Sequence, residues 1–134
     1  MKAEDPARRS ATMRAVKSRD TTPELIVRAL LRRFAPFYRL HRKDVVGNPD
    51  IAYLGRRRAI FVHGCFWHGH DCARGARAPK ANADYWRAKI AKNRMRDAAN
   101  VEKLHAADWR TLTVWECELK DLDTLEAKLR AFLQ

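Results

Sequence analysis

The sequence predicts a mixed α/β protein in which a central sheet is flanked by helices. The run AIFV at residues 59–62 is continuously apolar, as expected of a central strand, and RTLTVW at 110–115 is a second candidate for a buried strand. Around them the predicted order is helix, two or three strands, helix, strand, helix. With 134 residues and no internal repeat or linker, the chain fits one domain.

The first helix is predicted to begin near the sequence TTPE. Thr22 can cap it, Pro23 suits its first position, and Glu24 complements the positive end of the helix dipole. We expect this helix to end near residues 34–35, because Pro36 disfavours a helical backbone in the residue before it.

Three strand candidates follow the first helix. The candidate at residues 37–40 is weak, and a Gly-Asn turn at 47–48 precedes the second candidate, at 49–53. A short basic turn leads to the third candidate, at 59–62, which runs directly into His63. The third is therefore predicted to be the central strand.

The second half of the chain predicts a long helix, a strand and a last helix. Asn82 is expected to cap the long helix, which should continue to about residue 107. The strand candidate at residues 110–115 follows, and leucines at helical spacing predict the last helix at about residues 121–133.

The charge of the chain points to a polyanionic partner. Twenty-eight Lys and Arg against sixteen Asp and Glu give a net charge of +12, which favours nucleic acid. An anionic membrane surface is the competing partner, but no segment joins a basic face to a strongly apolar one. No apolar run could span a bilayer, and the charged start does not resemble a secretory signal, so we expect a soluble cytoplasmic protein.

The first 20 residues hold many charges and few apolar side chains. We interpret residues 1–20 as a basic DNA-binding arm that orders on DNA, and residues 21–134 as a single domain. A solvated tail is an equally open interpretation of the arm before a role in DNA binding is established.

The stretch HGCFWHGHDC brings metal-binding side chains close together. Cys65, His70 and Cys72 are spaced as zinc ligands, and Cys117 follows the last strand candidate. If that strand lies beside the central one, Cys65 and Cys117 emerge at adjacent strand ends and complete a Cys3His site for Zn²⁺. Such a site is closed, so it would be structural. Three unrelated buried thiols are the alternative.

A carboxylate at the end of a strand is what divalent-metal nucleases use to hold Mg²⁺. Asp50, in the sequence GNPD, stands at the start of the second strand candidate and is placed for this. An Asp after Asn-Pro is also ordinary turn chemistry, which the local sequence alone favours.

The chain resembles the very-short-patch repair endonucleases, which nick DNA at T:G mismatches. Pro49 and Asp50 fit the first half of the broader PD-(D/E)xK nuclease pattern, but Phe61, Val62 and His63 lack the acid and lysine of its second half, as in that family. The resemblance covers nearly the whole chain. It includes Met13 and Arg14, Arg19 with Asp20 and Thr21, Glu24, Pro49 and Asp50, HGCFWHGHDC, Tyr85 and Trp86, Lys89 and Ile90, Lys92 and Asn93, and VWEC at 114–117.

The resemblance implies a restriction-endonuclease-like fold and a role for each site residue. Asp50 would be the protein carboxylate on Mg²⁺, with the main-chain carbonyl of Val62 as a further ligand. His68 is the first choice for general base, since imidazole titrates near neutral pH, and His63 would polarise the phosphate or order water. Glu24 would complete the site through metal-bound water. The alternatives are that both histidines are hydrogen-bonded polar loop residues and that Glu24 only complements the helix dipole; without the resemblance, these interpretations are favoured for Glu24 and His63.

The resemblance also implies an aromatic wedge and a closing arm. Phe66, Trp67 and Trp86 would insert into the base stack beside the mismatch, where unstacking costs least. Burial in the core is the alternative for all three, above all for Trp86. The arm residues brought to the DNA are Met13, Arg14 and Arg19.

The implied function is nicking of one strand 5′ to the T of a T:G mismatch, which arises by deamination of 5-methylcytosine. A cytosine-5 methyltransferase and mismatch-repair proteins are the expected functional companions of a monomeric bacterial enzyme that acts at the nucleoid. Gly69 and Asp71 replace histidines common in the family, which affects sequence preference more than chemistry. Three rivals remain: a nuclease of relaxed specificity, a zinc-stabilised DNA-binding module that does not cut, and a zinc hydrolase using His63 and His68.

Overall fold

The computed structural model describes residues 20–70, 72 and 81–134. Its helices and strands follow the order that the sequence predicts. Along the chain they are α1 (Thr22–Arg32), β1 (Arg39–Leu40), β2 (Ile51–Tyr53), β3 (Arg58–His63), α2 (Ala83–Ala106), β4 (Arg110–Trp115), a 3₁₀ helix (Glu116–Lys120) and α3 (Leu122–Leu133).

The four described strands form one mixed sheet in the order β1-β2-β3-β4. The pairs β1–β2 and β2–β3 are antiparallel, whereas β3 and β4 are parallel, with His63 opposite Trp115. β3 is therefore central, as its apolar run predicts. β4 was predicted to be buried, but most of its residues are only partly buried because it lies at an edge of the described sheet.

Helices cover both faces of the sheet, because alternate side chains of β3 point in opposite directions. Ile60 belongs to a core that α1 and α3 complete, whereas Ala59 and Phe61 belong to a second core that Leu104 of α2 completes. The members of the larger core are Val27, Leu30, Leu31, Ala35, Ile51, Tyr53, Ile60, Val114, Leu125, Leu129 and Leu133. The prediction of a mixed α/β fold with a flanked central sheet is confirmed.

Of the two predicted helix caps, the first is one residue off and the second has the right position but lacks the capping hydrogen bond. Thr21, not Thr22, precedes α1 with an extended backbone, and its side chain accepts from the amide of Glu24. Asn82 stands before α2 but has a left-handed backbone and makes no capping hydrogen bond, since such a cap normally needs an extended backbone. α1 also ends at Arg32, two residues before the predicted end.

The parallel pairing of β3 with β4 determines where the polar side chains gather. Both strands end at the same edge of the sheet, so the segments that begin with Gly64 and Glu116 leave the sheet side by side. Within the described part of the chain, no helix has the length and apolar character needed to cross a membrane.

Candidate active site

The cysteines and one histidine of the HGCFWHGHDC stretch meet Cys117 beyond the ends of β3 and β4. One ligand atom from each of Cys65, His70, Cys72 and Cys117 lies within 4.8 Å of the others. The amide of Cys117 donates to Sγ of Cys65 at 3.3 Å, and Sγ of Cys117 lies 3.6 Å from Nδ1 of His70. All three cysteines are free thiols. The geometry brings together the four residues that the sequence proposes as one site.

The donor set fits a soft metal ion better than Mg²⁺. Three sulfurs and one imidazole nitrogen include no carboxylate, and such sets hold zinc in closed tetrahedral sites. Burial raises the pKa of the Cys65 thiol to about 12, so a cation is what would stabilise its thiolate here. A main-chain hydrogen bond brings two of these residues close together, since the amide of His70 donates to the carbonyl of Cys65 at 2.9 Å.

Asp50 lies immediately before β2 and points at the adjacent strand. Its Oδ2 accepts from the amide of Val62 at 2.7 Å, and Glu24 of α1 approaches closely enough to share a hydrogen bond with it. Burial, reinforced by the charge of Glu24, raises the pKa of Asp50 to about 7, although the Val62 amide and Arg28 act in the opposite direction. The half-buried Asp50 and the buried Glu24 thus lie close together, and a cation between them would relieve their repulsion.

The strand register explains why the main-chain carbonyl of Val62 is available beside Asp50. Ile51 pairs with Ile60 in the antiparallel register, so continuing that register places the buried Pro49 opposite Val62. In a strand, the amide and carbonyl of one residue point to the same side, which here is the side of Asp50. Proline has no amide hydrogen to donate to that carbonyl.

The two histidines of the proposed catalytic set stack on each other. The rings of His63 and His68 lie 3.7 Å apart and are parallel to within 3°. Nδ1 of His68 lies 2.5 Å from Oδ2 of Asp97, a residue of α2, whereas Nδ1 of His63 is 4.0 Å from the same oxygen. Among the described residues, Nδ1 of His63 is buried without a hydrogen-bond partner.

The electrostatics of this histidine pair favour a neutral His63. Burial, with the neighbouring His68, lowers the pKa of His63 to about 4. Burial also raises the pKa of Asp97, but the hydrogen bond from His68, together with the charges of His68 and Arg96, outweighs it and keeps the pKa below its usual value. Asp97 is therefore a carboxylate that can fix the tautomer of His68.

The site residues form two groups on either side of β3. Asp50 lies close to Glu24, a residue of α1. On the other side, His68 contacts Asp97 of α2, and His63 stacks on His68. The groups meet at the strand itself, since Asp50 binds the amide of Val62 and His63 is the next residue. A cavity of about 630 Å³ adjoins the histidines, with Asp97, Arg94, Thr113 and Trp115 also in its wall.

The three aromatic residues of the proposed wedge form one cluster. Phe66, Trp67 and Trp86 contact one another edge to face, with ring centroids 5.1 to 5.7 Å apart, and each is partly exposed. Asn93 of α2 donates to the carbonyl of Trp67 at 2.8 Å and so ties the loop to the helix. The sequence left open that all three are buried in the core, but none of them is a core residue.

Sequence reasoning missed Arg28, His41, Asp97 and the role of Asn93. Arg28 and His41 both contact Glu24. No sequence motif marks either residue, because charged helix residues and loop histidines are common in soluble proteins. Asn93 had only the family resemblance as a signal. The predicted arm residues Met13, Arg14 and Arg19 lie outside the described residues.

The fold has a counterpart among solved nucleases. The catalytic domain of homing endonuclease I-Bth0305I matches with a TM-score of 0.57 and 26% sequence identity, over 84% of this chain and 94% of that domain. This likeness to an endonuclease domain, on a restriction-endonuclease-like α/β fold, indicates the class of endonucleases.

Sequence comparison identifies the family within that class. The sequence model of the DNA mismatch endonuclease Vsr matches residues 1–74. The type II nicking enzyme V.XorIIP of Xanthomonas oryzae is 51% identical over 96% of this chain and 93% of its own length. The DNA mismatch endonuclease Vsr of Escherichia coli is 38% identical over 90% of this chain and 77% of its own length. The chain belongs to the Vsr family of DNA mismatch endonucleases.

Proposed function

We propose that this enzyme nicks one DNA strand 5′ to the T of a T:G mismatch in the presence of Mg²⁺. The nick would initiate very short patch repair of deaminated 5-methylcytosine. The observation that carries the proposal is the half-buried Asp50 next to the buried Glu24 and the amide of Val62, at the central strand of a fold shared with an endonuclease domain.

The residues around Asp50 fit Mg²⁺. Carboxylate and main-chain carbonyl oxygens are the hard donors that Mg²⁺ prefers, and Asp50, with its pKa raised to about 7, is partly protonated at neutral pH unless a cation compensates its charge. Asp50 and the carbonyl of Val62 would hold the ion, with Glu24 acting through its water. When bound, Mg²⁺ supplies Lewis-acid stabilisation of charge on the scissile phosphate.

His68 would act as the general base. Its Nδ1 is held by the Asp97 carboxylate, which leaves Nε2 to accept a proton from the attacking water. His63 stacks on His68 and, with a pKa of about 4, is neutral at working pH. It would therefore order water or donate a hydrogen bond to the phosphate without adding charge. Asp97 acts through His68, so it is a positioning residue.

The proposed metal at the cysteine cluster is structural Zn²⁺, held by Cys65, His70, Cys72 and Cys117. Four ligands fill a tetrahedral site, so this site has no open position for water. Its role is to fix the loop that carries His68 and the aromatic cluster. The catalytic centre lies at Asp50.

The aromatic cluster and the arm would recognise the mismatched duplex. Partly exposed rings can stack on bases, and each such stack contributes about 1–3 kcal/mol. Phe66, Trp67 and Trp86 would form the intercalating wedge, and the net charge of +12 would attract the phosphate backbone. The arm residues proposed to close over the DNA are Met13, Arg14 and Arg19.

The proposed setting is a bacterial cell in which the enzyme acts as a monomer at the nucleoid, within the cytoplasm. The bacterial origin of the named relatives supports this setting. A T:G mismatch forms where 5-methylcytosine loses its amino group, so a cytosine-5 methyltransferase is the expected functional companion. Mismatch-repair proteins would complete the pathway after the nick.

The test is a nicking assay on end-labelled duplexes. Matched, T:G and other mismatched duplexes of one sequence are incubated with the zinc-loaded chain and Mg²⁺, and each product is mapped at nucleotide resolution. We expect a single nick 5′ to the mismatched T. Equal nicking of all duplexes would replace the T:G proposal by a nuclease of relaxed specificity, and binding without nicking in any divalent metal would contradict the catalytic assignment.

A further inference from the structure

A buried arginine lies against the Glu24 carboxylate. Nη2 of Arg28 is 3.0 Å from Oε2 of Glu24 and 2.8 Å from Oδ1 of Asp20. The side chains of Arg28 and Glu24 are only 8% and 4% exposed, so solvent screens their contact weakly. The amide of Asp20 also donates to Oε2 of Glu24, at 2.9 Å. Glu24 therefore has a fixed position on α1.

His41 supports this arginine from the neighbouring loop. Its Nε2 lies 3.1 Å from Nη2 of Arg28 and 3.3 Å from Oε2 of Glu24. A guanidinium group donates and never accepts, so in contact with Arg28 the His41 nitrogen is the acceptor. The amide of His41 donates to the main-chain carbonyl of Asp50 at 3.2 Å. His41 thus connects the segment of Asp50 to the ion pair on α1.

The same place would otherwise suit a cation. Ligand atoms of Asp20, Glu24 and His41 lie within 4.8 Å of one another, an arrangement that a metal ion could use. The guanidinium of Arg28 contacts all three of these residues. An arginine stays charged at every working pH, so it is a permanent occupant of this position.

We propose that Arg28, supported by His41, is a positioning residue that acts as a fixed cation in the active site. It holds the Glu24 carboxylate beside Asp50 and keeps metal ions out of the group formed by Asp20, Glu24 and His41. Three carboxylates and one guanidinium leave a net charge of −2 when all are ionised, which directs a divalent cation to Asp50. This inference rests on the proposed Mg²⁺-dependent function and specifies how its site is arranged.

The experiment counts bound Mn²⁺ by electron paramagnetic resonance on the zinc-loaded chain without DNA, and measures single-turnover nicking of the T:G duplex in Mg²⁺. Arg28→Met is the test variant and Arg28→Lys keeps the charge. Arg32→Met, one turn further along α1 on its exposed side, is the matched control. We expect Arg28→Met to bind one more Mn²⁺ per chain than wild type and to nick about 100-fold more slowly, because Glu24 loses its orientation. Arg28→Lys should keep the wild-type Mn²⁺ number, and Arg32→Met should match wild type in both measurements.

The His41 variants give a second readout that leaves Arg28 in place. His41→Ala should slow nicking without changing the Mn²⁺ number, and His41→Gln should restore the rate, since its amide oxygen can accept from Arg28. An unchanged Mn²⁺ number in Arg28→Met overturns the exclusion of metal, and equal nicking by His41→Ala and wild type overturns the support by His41. If wild type fails to nick T:G duplexes, the proposed function fails, while the Mn²⁺ numbers still decide this inference.

Discussion

The Mg²⁺ requirement of nicking should depend on pH through Asp50. Its pKa is raised to about 7, above the value of 3.8 for an ordinary Asp, so the carboxyl must lose a proton before it can bind a metal ion. With that pKa, about nine in ten Asp50 carboxyls are ionised at pH 8 and about one in ten at pH 6. The half-saturating Mg²⁺ concentration should therefore be about tenfold higher at pH 6 than at pH 8.

The assay is a series of Mg²⁺ titrations of single-turnover nicking at pH values from 6 to 8, on the T:G duplex and at constant ionic strength. The half-saturating concentration reports metal binding at Asp50, whereas the rate at saturating Mg²⁺ reports the chemical step, so the two effects separate. The sign of the shift is fixed, since protons compete with the metal at low pH. A half-saturating concentration that stays constant over this range would refute the reasoning, because Asp50 would then be either fully ionised throughout or no metal ligand.

Three further predictions test the scaffold. Cys117→Ala should lose the one zinc expected per chain and lower the melting temperature, as metal analysis and circular dichroism would show; retained zinc would exclude Cys117 as a ligand. Trp67→Ala should weaken binding to the T:G duplex by about 1–3 kcal/mol in a titration, with less effect on matched DNA; an equal loss on both would refute the wedge. Gly69→Ala should destabilise the fold by about 1–2 kcal/mol or more in urea, because Gly69 has φ +63° and a Cβ would lie 2.7 Å from Ile90. Its control, Gly55→Ala, meets nothing within 4 Å and should stay near wild type; equal stabilities would contradict the packing argument.

The cysteine–histidine cluster and the pair of His63 and His68 are physically connected. The ring of His70 stacks on Trp115 at 4.2 Å, and Trp115 contacts His63 edge to face at 5.3 Å. Trp115 ends β4 and stands opposite His63 in the parallel register. The described residues of HGCFWHGHDC therefore bring together three members of the cysteine–histidine cluster, the histidine pair and two of the three clustered aromatic rings, which accounts for their unusual composition.

The sequence predicts those parts of the site that depend on strand order. A continuously apolar β3 and a neighbouring β4 were enough to place Cys65 near Cys117, because parallel strands end at the same edge. The turn before β2 likewise put Asp50 at the start of a strand, although its proposed role depended on the family resemblance. Periodicity and turn chemistry are local signals, so the order of the helices and strands could be derived from them.

Other parts of the site depend on contacts that local patterns do not encode. Asp97 meets His68 across 29 positions, and His41 meets Arg28 across 13. In the sequence, Asp97 is one more charge on a long helix, and Arg28 is one of many arginines. The Thr21 cap was missed by one residue because Thr21 and Thr22 are chemically identical, and only the backbone distinguishes them.

The most direct test of the central claim is the single-turnover nicking rate of Asp50→Asn on the T:G duplex. The amide can still accept from the Val62 amide, so the fold and the zinc content should stay at the wild-type level, while the metal-binding charge is removed. We predict a loss on the order of 1,000-fold in rate. Nicking at the wild-type rate, with one zinc bound, would contradict the assignment of the catalytic centre to Asp50.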